Sequence, residues 1–157
     1  MASKRLRILQ QLTELLEQTD GYDLGGKVWR GRLRPGDESE FPYVILFETK
    51  PEGESRADNT VKKMPWYLGV QGYTEASFPH TTDNAHELMA AVKQQLAQVA
   101  DDSNPMRISE HFMLGGLIDD IEIDGGMTFS PDETTNGCYF AMMLKVTLTE
   151  NLGDPDA

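Results

Sequence analysis

The chain has 157 residues and a formal net charge of −12, with 39% hydrophobic and 25% charged residues. This length suits one domain that buries a core without disulfide or metal support, and the composition argues against disorder throughout. A single cysteine excludes an intrachain disulfide, and the lack of a run of about 18 apolar residues excludes a membrane-spanning helix. The first residues are basic and then amphipathic, without the apolar stretch of a signal peptide, so we expect a soluble, intracellular protein.

The charge is unevenly distributed along the chain. Residues 1–63 are neutral, with eleven basic and eleven acidic side chains, whereas residues 64–157 carry fifteen acids against Lys93, Arg107 and Lys145. An acidic surface repels phosphate, so we expect no sequence-specific binding of nucleic acid. The segregated charge favours contact between unlike faces of identical copies, and the alternative is that it only aids solubility.

The first half of the chain predicts one helix followed by three strands. Leucines recur at steps of three and four within Ser3–Gln18, which is typical of an amphipathic helix with Ser3 as its N-cap. Strands are predicted over 27–34, over 43–47 and over 66–74. The run 43–47 is apolar on both sides, which suits a strand that is covered on each face or lies at a subunit contact. The polar stretch Thr49–Lys63 between the last two strands is predicted to be a mobile or functional connection.

The second half predicts a helix and two more strands. The helix, Asp83–Ala100, carries one apolar face, and Asn84 with Glu87 stands at capping-box spacing. A short strand is predicted over 117–123, in which Ile121 and Ile123 alternate with acidic residues. The long last strand, Cys138–Glu150, alternates throughout, and the segment 125–137 before it is rich in turn formers.

The element order is therefore α-β-β-β-α-β-β. Two amphipathic helices and a sheet with one strongly apolar face predict an α+β fold. We expect a two-layer sandwich, with a mixed or antiparallel sheet of about five strands and both main helices on one face. Residues 1–150 are predicted to form this single domain and 151–157 a flexible C-terminal tail.

The sequence contains no catalytic signature, and no residue is predicted to be catalytic. Residues 120–125 imitate the first half of a calcium loop, but position 12 would be Pro131, where a bidentate glutamate is needed. The same residues fit a strand with isoleucines inward and acids outward. Cys138 lies in an apolar stretch and reads as a buried, reduced thiol. We expect no metal and no cofactor.

Basic residues concentrate in the first half of the chain. If residues 27–34 are extended, Arg30, Arg32 and Arg34 share one strand face. Arginine suits bidentate contact with carboxylates, which the other half supplies in excess, while a merely solvated strand face is the alternative. The predicted subunit or partner interface consists of Arg30, Arg32, Arg34, Lys50, Arg56, Lys62, Lys63, Asp120, Glu122 and Asp124.

The combined pattern resembles the tail terminator (U-like minor tail) proteins of long-tailed bacteriophages. The resemblance covers about residues 4–150 and begins with the opening amphipathic helix. The further segments that carry the resemblance are Val28-Trp29-Arg30-Gly31-Arg32, Phe41-Pro42-Tyr43-Val44-Ile45-Leu46, Trp66-Tyr67-Leu68-Gly69-Val70-Gln71, the helix Asp83–Ala100 and the strand Cys138–Glu150.

This resemblance implies a structural protein rather than an enzyme. Such proteins form a ring, usually a hexamer, that caps the tail tube, stops its polymerisation and offers a surface to the head. The implied partners are further copies of the chain, the tail tube protein and a head completion or connector protein. The implied location is the head-proximal end of the virion tail, and the host cytoplasm during assembly. The alternatives are another head–tail connector protein and a small cytoplasmic enzyme or ligand-binding domain.

Overall fold

The computed structural model describes residues 3–31, 40–49, 61–101, 109–132 and 136–154, together with the backbone of 55–56. Three helices and seven strands lie within these residues. In chain order they are α1 (Lys4–Glu17), β1 (Val28–Arg30), β2 (Tyr43–Glu48), β3 (Ser55–Arg56), β4 (Val61–Thr74), α2 (Asp83–Ala100), α3 (Met113–Gly116), β5 (Asp120–Ile123), β6 (Met127–Phe129) and β7 (Cys138–Asn151).

The strands form one mixed sheet in the order β1-β2-β4-β7-β5. At its centre β4 and β7 are antiparallel over their whole length, from Val61 opposite Asn151 to Thr74 opposite Cys138. Strand β1 pairs with β2 in parallel, and the other pairings are antiparallel. The short strands β3 and β6 pair with β4 and β7 respectively. Among the strands of the described residues, β1 and β5 therefore lie at opposite lateral edges of the sheet.

Both long helices cover one face of this sheet, as predicted. The buried core joins the leucines of α1 and the apolar face of α2 to inward residues of the strands, among them Trp66 and Phe140. Ser3 caps α1, since its Oγ accepts a hydrogen bond from the Leu6 N–H at 3.2 Å. The predicted two-layer α+β sandwich is confirmed. Besides the five strands of the order given above, the sheet contains the two short strands β3 and β6.

The polar stretch Thr49–Lys63 was wrongly predicted to be a connection throughout. Strand β4 begins at Val61 rather than at residue 66, and Lys62 and Lys63 pair with β3 on one side and with β7 on the other. This end of β4 extends beyond β2, whose pairing with β4 involves only 68–73. Because it has little apolar core to cover, its sequence lacks the alternation that marks a strand.

The predicted capping box of α2 is wrong. The helix begins at Asp83, and Thr82 is its N-cap without a side-chain capping hydrogen bond. The Asn84 side chain instead donates to the Glu75 carbonyl at 2.8 Å and to Ser77 Oγ at 3.0 Å. Asn84 therefore ties the helix to the segment that precedes it.

Strand β5 begins at Asp120 because a short left-handed turn precedes it. Leu114 and Gly115 have φ values of 51° and 71° within α3, and the Leu114 side chain is buried. Left-handed backbone is unfavourable for a side chain as large as leucine, so the packing of Leu114 stabilises this turn. Strand β6 lies in the segment 125–137, which is rich in turn formers and for which no strand was predicted.

Candidate assembly surface

The face of the sheet away from the helices, here called the outer face, carries many apolar side chains. Along β4 the core residues Trp66, Leu68 and Val70 alternate with outward residues such as Tyr67 and Tyr73. Tyr43, Ile45 and Tyr73 are buried on the outer face by their aromatic neighbours. The apolar character of 43–47 on both sides is therefore explained by two separate clusters, one on each face.

Five aromatic rings from five strands form a continuous row across the outer face. The consecutive ring centroids are 4.9, 5.0, 4.9 and 4.6 Å apart, in the order Trp29, Tyr43, Tyr73, Tyr139 and Phe129. Tyr43, Tyr73 and Tyr139 stand directly opposite one another in the strand register. Such cross-strand aromatic pairs stabilise a sheet and its register.

Two tyrosines of this aromatic row are shifted toward their neutral form. Burial raises the pKa of Tyr73, and the nearby Tyr139 and Asp132 raise it further. Burial and Asp132 likewise raise the pKa of Tyr139. Removing a phenolate from water and placing it beside a carboxylate both disfavour the charged form. Both effects favour the neutral phenols of Tyr73 and Tyr139, which suits an apolar surface.

Next to the row lies a depression of about 430 Å³, here called the methionine trough. Its lining residues are Phe47, Asp124, Gly125, Gly126, Met127, Ala141, Met142 and Met143. A second depression, of about 340 Å³, adjoins it and shares Asp124 and Met143 while adding Glu122 and Lys145. Together the two depressions combine an apolar floor with the carboxylates of Asp124 and Glu122 on the side of β5.

The trough exists because the strand beside β7 is interrupted. Strand β5 pairs with 144–147 of β7 and β6 pairs with 139–141, and a turn at 124–126 joins the two. Asp124 holds this turn, because its Oδ1 accepts from the Gly126 N–H at 3.0 Å and its N–H donates to the Met143 carbonyl at 3.1 Å. Gly126 has a φ of 69°, and a Cβ there would meet Met89 and Met142, so the turn requires glycine.

The charged residues predicted from the sequence fall in three places. Arg30 is exposed on the edge strand β1, whereas Asp120, Glu122 and Asp124 are exposed on or just after β5, at the opposite edge. Lys62 and Lys63 lie together at the start of β4, beside the backbone of Arg56. Three predicted residues, Arg32, Arg34 and Lys50, and the side chain of Arg56 lie outside the described residues.

Arg30 and the lysine pair do not form one basic patch. Arg30 stands level with Leu46 and hence with Val70 of β4, which is seven positions beyond Lys63. At about 3.4 Å per residue this corresponds to roughly 24 Å along the strand. The structure therefore separates these predicted interface residues. Of the three arginines predicted to share a strand face, Arg30 is the one within the described residues, and it lies on β1.

The segment 120–123 is a strand, as its alternation indicated, and Asp124 follows in the turn. Ile121 is buried and Ile123 partly buried, while Asp120, Glu122 and Asp124 are exposed. Glu122 lies 3.9 Å from the Lys145 ammonium across the strand pair. Within the described residues, no three histidine, cysteine, aspartate or glutamate side chains are grouped so that they could hold a metal ion.

Cys138 is buried, as predicted. Its Sγ lies 3.4 Å from the Glu75 carbonyl oxygen and donates weakly to it, and burial raises the pKa of the thiol. A thiol in this setting is a poor nucleophile. None of the helices in the described part of the chain has the length and apolar character that crossing a bilayer requires.

The aromatic row and the methionine trough were missed at the level of sequence. The alternation along β7 was predicted, and it places Tyr139 and Met143 on one face of that strand. What joins them into one surface is the pairing of five strands, and strand neighbours cannot be read from the alternation within each strand.

No model of a known protein family matches this chain. A search of curated proteins likewise finds no match.

Proposed function

We propose that this chain is a ring-forming structural subunit of a bacteriophage tail that acts as a tail terminator. The observation that carries the proposal is the position of opposite charges on the two lateral edges of one sheet. Arg30 is exposed on β1, and Asp120 and Glu122 are exposed on β5. The resemblance to tail terminator proteins in element order and in short sequence segments is the reason for placing the ring in a bacteriophage tail.

Opposite edges of opposite charge suit contact between unlike surfaces of identical copies. A ring needs heterologous contacts, in which one surface of each copy meets a different surface of the next and the rotation closes. Complementary charges steer such encounters and disfavour the pairing of two like edges. The excess of acids in residues 64–157 strengthens the repulsion between like surfaces.

The outer face provides the further surface that a tail component needs. A ring at the end of a tube contacts its neighbours in the ring, the tail tube protein and a protein of the head. The aromatic row and the methionine trough form an apolar area on the side of the sheet opposite the helices. Apolar areas of this kind are typical of sites of protein contact.

Light scattering over a range of protein and salt concentrations tests self-assembly. We expect a discrete oligomer whose dissociation constant increases with salt, because exposed charges at the contact are screened. Asp120→Lys should weaken the oligomer, whereas Glu14→Lys, an equivalent reversal at an exposed position on α1, should not. Equal effects of the two variants would contradict the assignment of the β5 edge.

The terminator role itself is tested on tubes. The tail tube protein encoded in the same genome is allowed to polymerise with and without the purified chain, and tube lengths are measured by electron microscopy. We expect shorter tubes that carry density at one end when the chain is present. Unchanged lengths and bare ends would contradict the role and favour another joining protein.

A further inference from the structure

The apolar lining of the methionine trough comes from outward residues that stand opposite one another in the sheet. Phe47, Gly69 and Met143 occupy one level of β2, β4 and β7, and Ala141 faces Met127 at the next outward level of β7 and β6. Met127 is 59% exposed, so the apolar wall on the side of β6 is accessible to a partner. Methionine side chains adapt to different shapes, which suits them to a contact surface.

Acidic side chains border the trough on the same face of the sheet. Glu122 is paired with Lys145, an outward residue of β7, and Asp124 lines both depressions. Two carboxylates therefore stand beside one ammonium group, and this excess of negative charge favours a cationic partner. Asp120 lies on the same face two positions before Glu122. Two positions of a strand span about 7 Å, which is also the spacing of alternate side chains in an extended peptide segment.

The described residues of a second copy do not offer a segment that matches the trough. Four large apolar side chains are exposed among them, namely Leu6, Phe78, Met127 and Leu152. Of these, Leu6 alone has basic neighbours in sequence, and two of those neighbours, Lys4 and Arg5, bind β7 of their own chain. The formal net charge of −12 also makes copies of the chain repel one another at an acidic surface. Charge and chemistry therefore favour a different protein as the occupant.

We propose that the methionine trough binds an extended, positively charged segment of a different protein. A large apolar side chain of that segment packs against Phe47, Met127 and Met143, and an arginine or lysine next to it lies beside Glu122 and Asp124. The inference rests on the proposed function, in which the outer face meets another component of the tail, and it names the chemistry of that component. The segment lies in front of the sheet, so the lateral edges stay available for contact between copies.

A selection from random peptides tests the chemistry of the occupant. Random heptapeptides displayed on yeast are selected on the immobilised wild-type chain and, in parallel, on Met127→Gln and Leu152→Gln. Met127 is 59% and Leu152 58% exposed, so neither substitution removes core packing. We expect the wild-type chain and Leu152→Gln to enrich peptides with arginine or lysine next to a large apolar residue, and Met127→Gln to lose them. No enrichment, or enriched peptides that lack basic residues, would overturn the inference.

Dissociation constants of one enriched peptide test the contacts. The peptide is labelled and measured by fluorescence anisotropy, and thermal unfolding of each variant checks the fold. We expect Met127→Gln to weaken binding about tenfold, as for a central contact residue, and Leu152→Gln to change it less than about twofold. Glu122→Gln should weaken binding and reduce its salt dependence, whereas Glu14→Gln, at an exposed position of α1, should do neither. Equal dissociation constants for all four variants would overturn the inference.

The failure of the inference and that of the proposed function remain distinguishable. A chain that shortens tail tubes but enriches no cationic peptide would overturn the trough contact alone. A chain that binds such peptides through Met127 without shortening tubes would overturn the terminator role and leave the trough contact in place. A chain whose self-association is weakened by Met127→Gln, and which binds no peptide, would show that a second copy occupies the trough and would overturn the inference.

Discussion

The ring of Phe47 lies directly over Gly69 on the outer face. The two residues are opposite each other in the β2–β4 register, and a Cβ built on Gly69 would overlap the Phe47 ring. Glycine in a strand interior lowers stability by itself, but here it gives the ring a place to pack. The contact sets the position of Phe47, which is part of the methionine trough.

Replacing Gly69 by alanine should destabilise the fold because the added methyl group displaces the ring. We expect Gly69→Ala to lower the free energy of unfolding by about 1–3 kcal/mol, the usual cost of overpacking. Urea denaturation measures this change. Gly25→Ala is the control, since the nearest atom to its added Cβ is 4.0 Å away. Phe47→Leu combined with Gly69→Ala should be less destabilised than the sum of the two, and strict additivity would contradict the collision.

A buried hydrogen bond should contribute to the packing of α1 against α2. The Gln95 amide donates to the Leu15 carbonyl at 2.7 Å and is only 8% exposed. Removing the donor leaves the Leu15 carbonyl with the Gln18 N–H as its partner, so Gln95→Ala should cost about 0.5–1.5 kcal/mol of unfolding free energy, the net value of one hydrogen bond. Gln94→Ala, at an exposed position of the same helix, should change it by less than about 0.5 kcal/mol. Similar values for both would show that the hydrogen bond adds nothing.

The tyrosines of the aromatic row should make the fold sensitive to high pH. The pKa values of Tyr73 and Tyr139 are raised above the ordinary value of 10.0, so the folded state holds their protons more tightly than the unfolded state. Their contribution to stability is complete below pH 10.0 and is lost as the pH rises through the folded pKa values.

Chemical denaturation between neutral pH and about pH 11 measures this loss. The variant Tyr73→Phe/Tyr139→Phe should lose less stability over the alkaline part of this range than the parent chain. Cys138 and Tyr22, whose pKa values are also raised by burial, are common to both proteins and cancel in the comparison. Parallel curves would contradict the assignment to the aromatic row.

The thiol of Cys138 should be protected in the folded protein. Its side chain is fully buried and its pKa is raised, so little thiolate is present and reagents lack access. We expect negligible reaction with a thiol-specific reagent in buffer at neutral pH and one thiol per chain in denaturant. Rapid labelling of the native chain would show that the first residues of β7, where Cys138 lies, open readily.

Part of the assembly surface was accessible from the sequence. The charges of Arg30, Asp120 and Glu122 are sequence facts, and the exposure of Asp120 and Glu122 follows from alternation with apolar neighbours. Their positions at opposite edges depend on the strand order β1-β2-β4-β7-β5, in which strands adjacent in sequence are not always neighbours. The alternation of side chains along a strand indicates which face of the sheet a residue occupies. The order of the strands across the sheet is decided by pairing between distant parts of the chain.

The sequence alone determined the elements whose periodicity is complete within one segment. The leucines of α1, the apolar face of α2 and the strict alternation of β7 each reflect one element against one core, so local spacing was sufficient. Only the tertiary structure decided the start of β4, the parallel pair β1–β2, the aromatic row and the methionine trough. These depend on pairings between residues as distant as Trp29 and Tyr43, or Tyr73 and Tyr139. Such contacts arise from the packing of the whole sheet, and no local pattern encodes them.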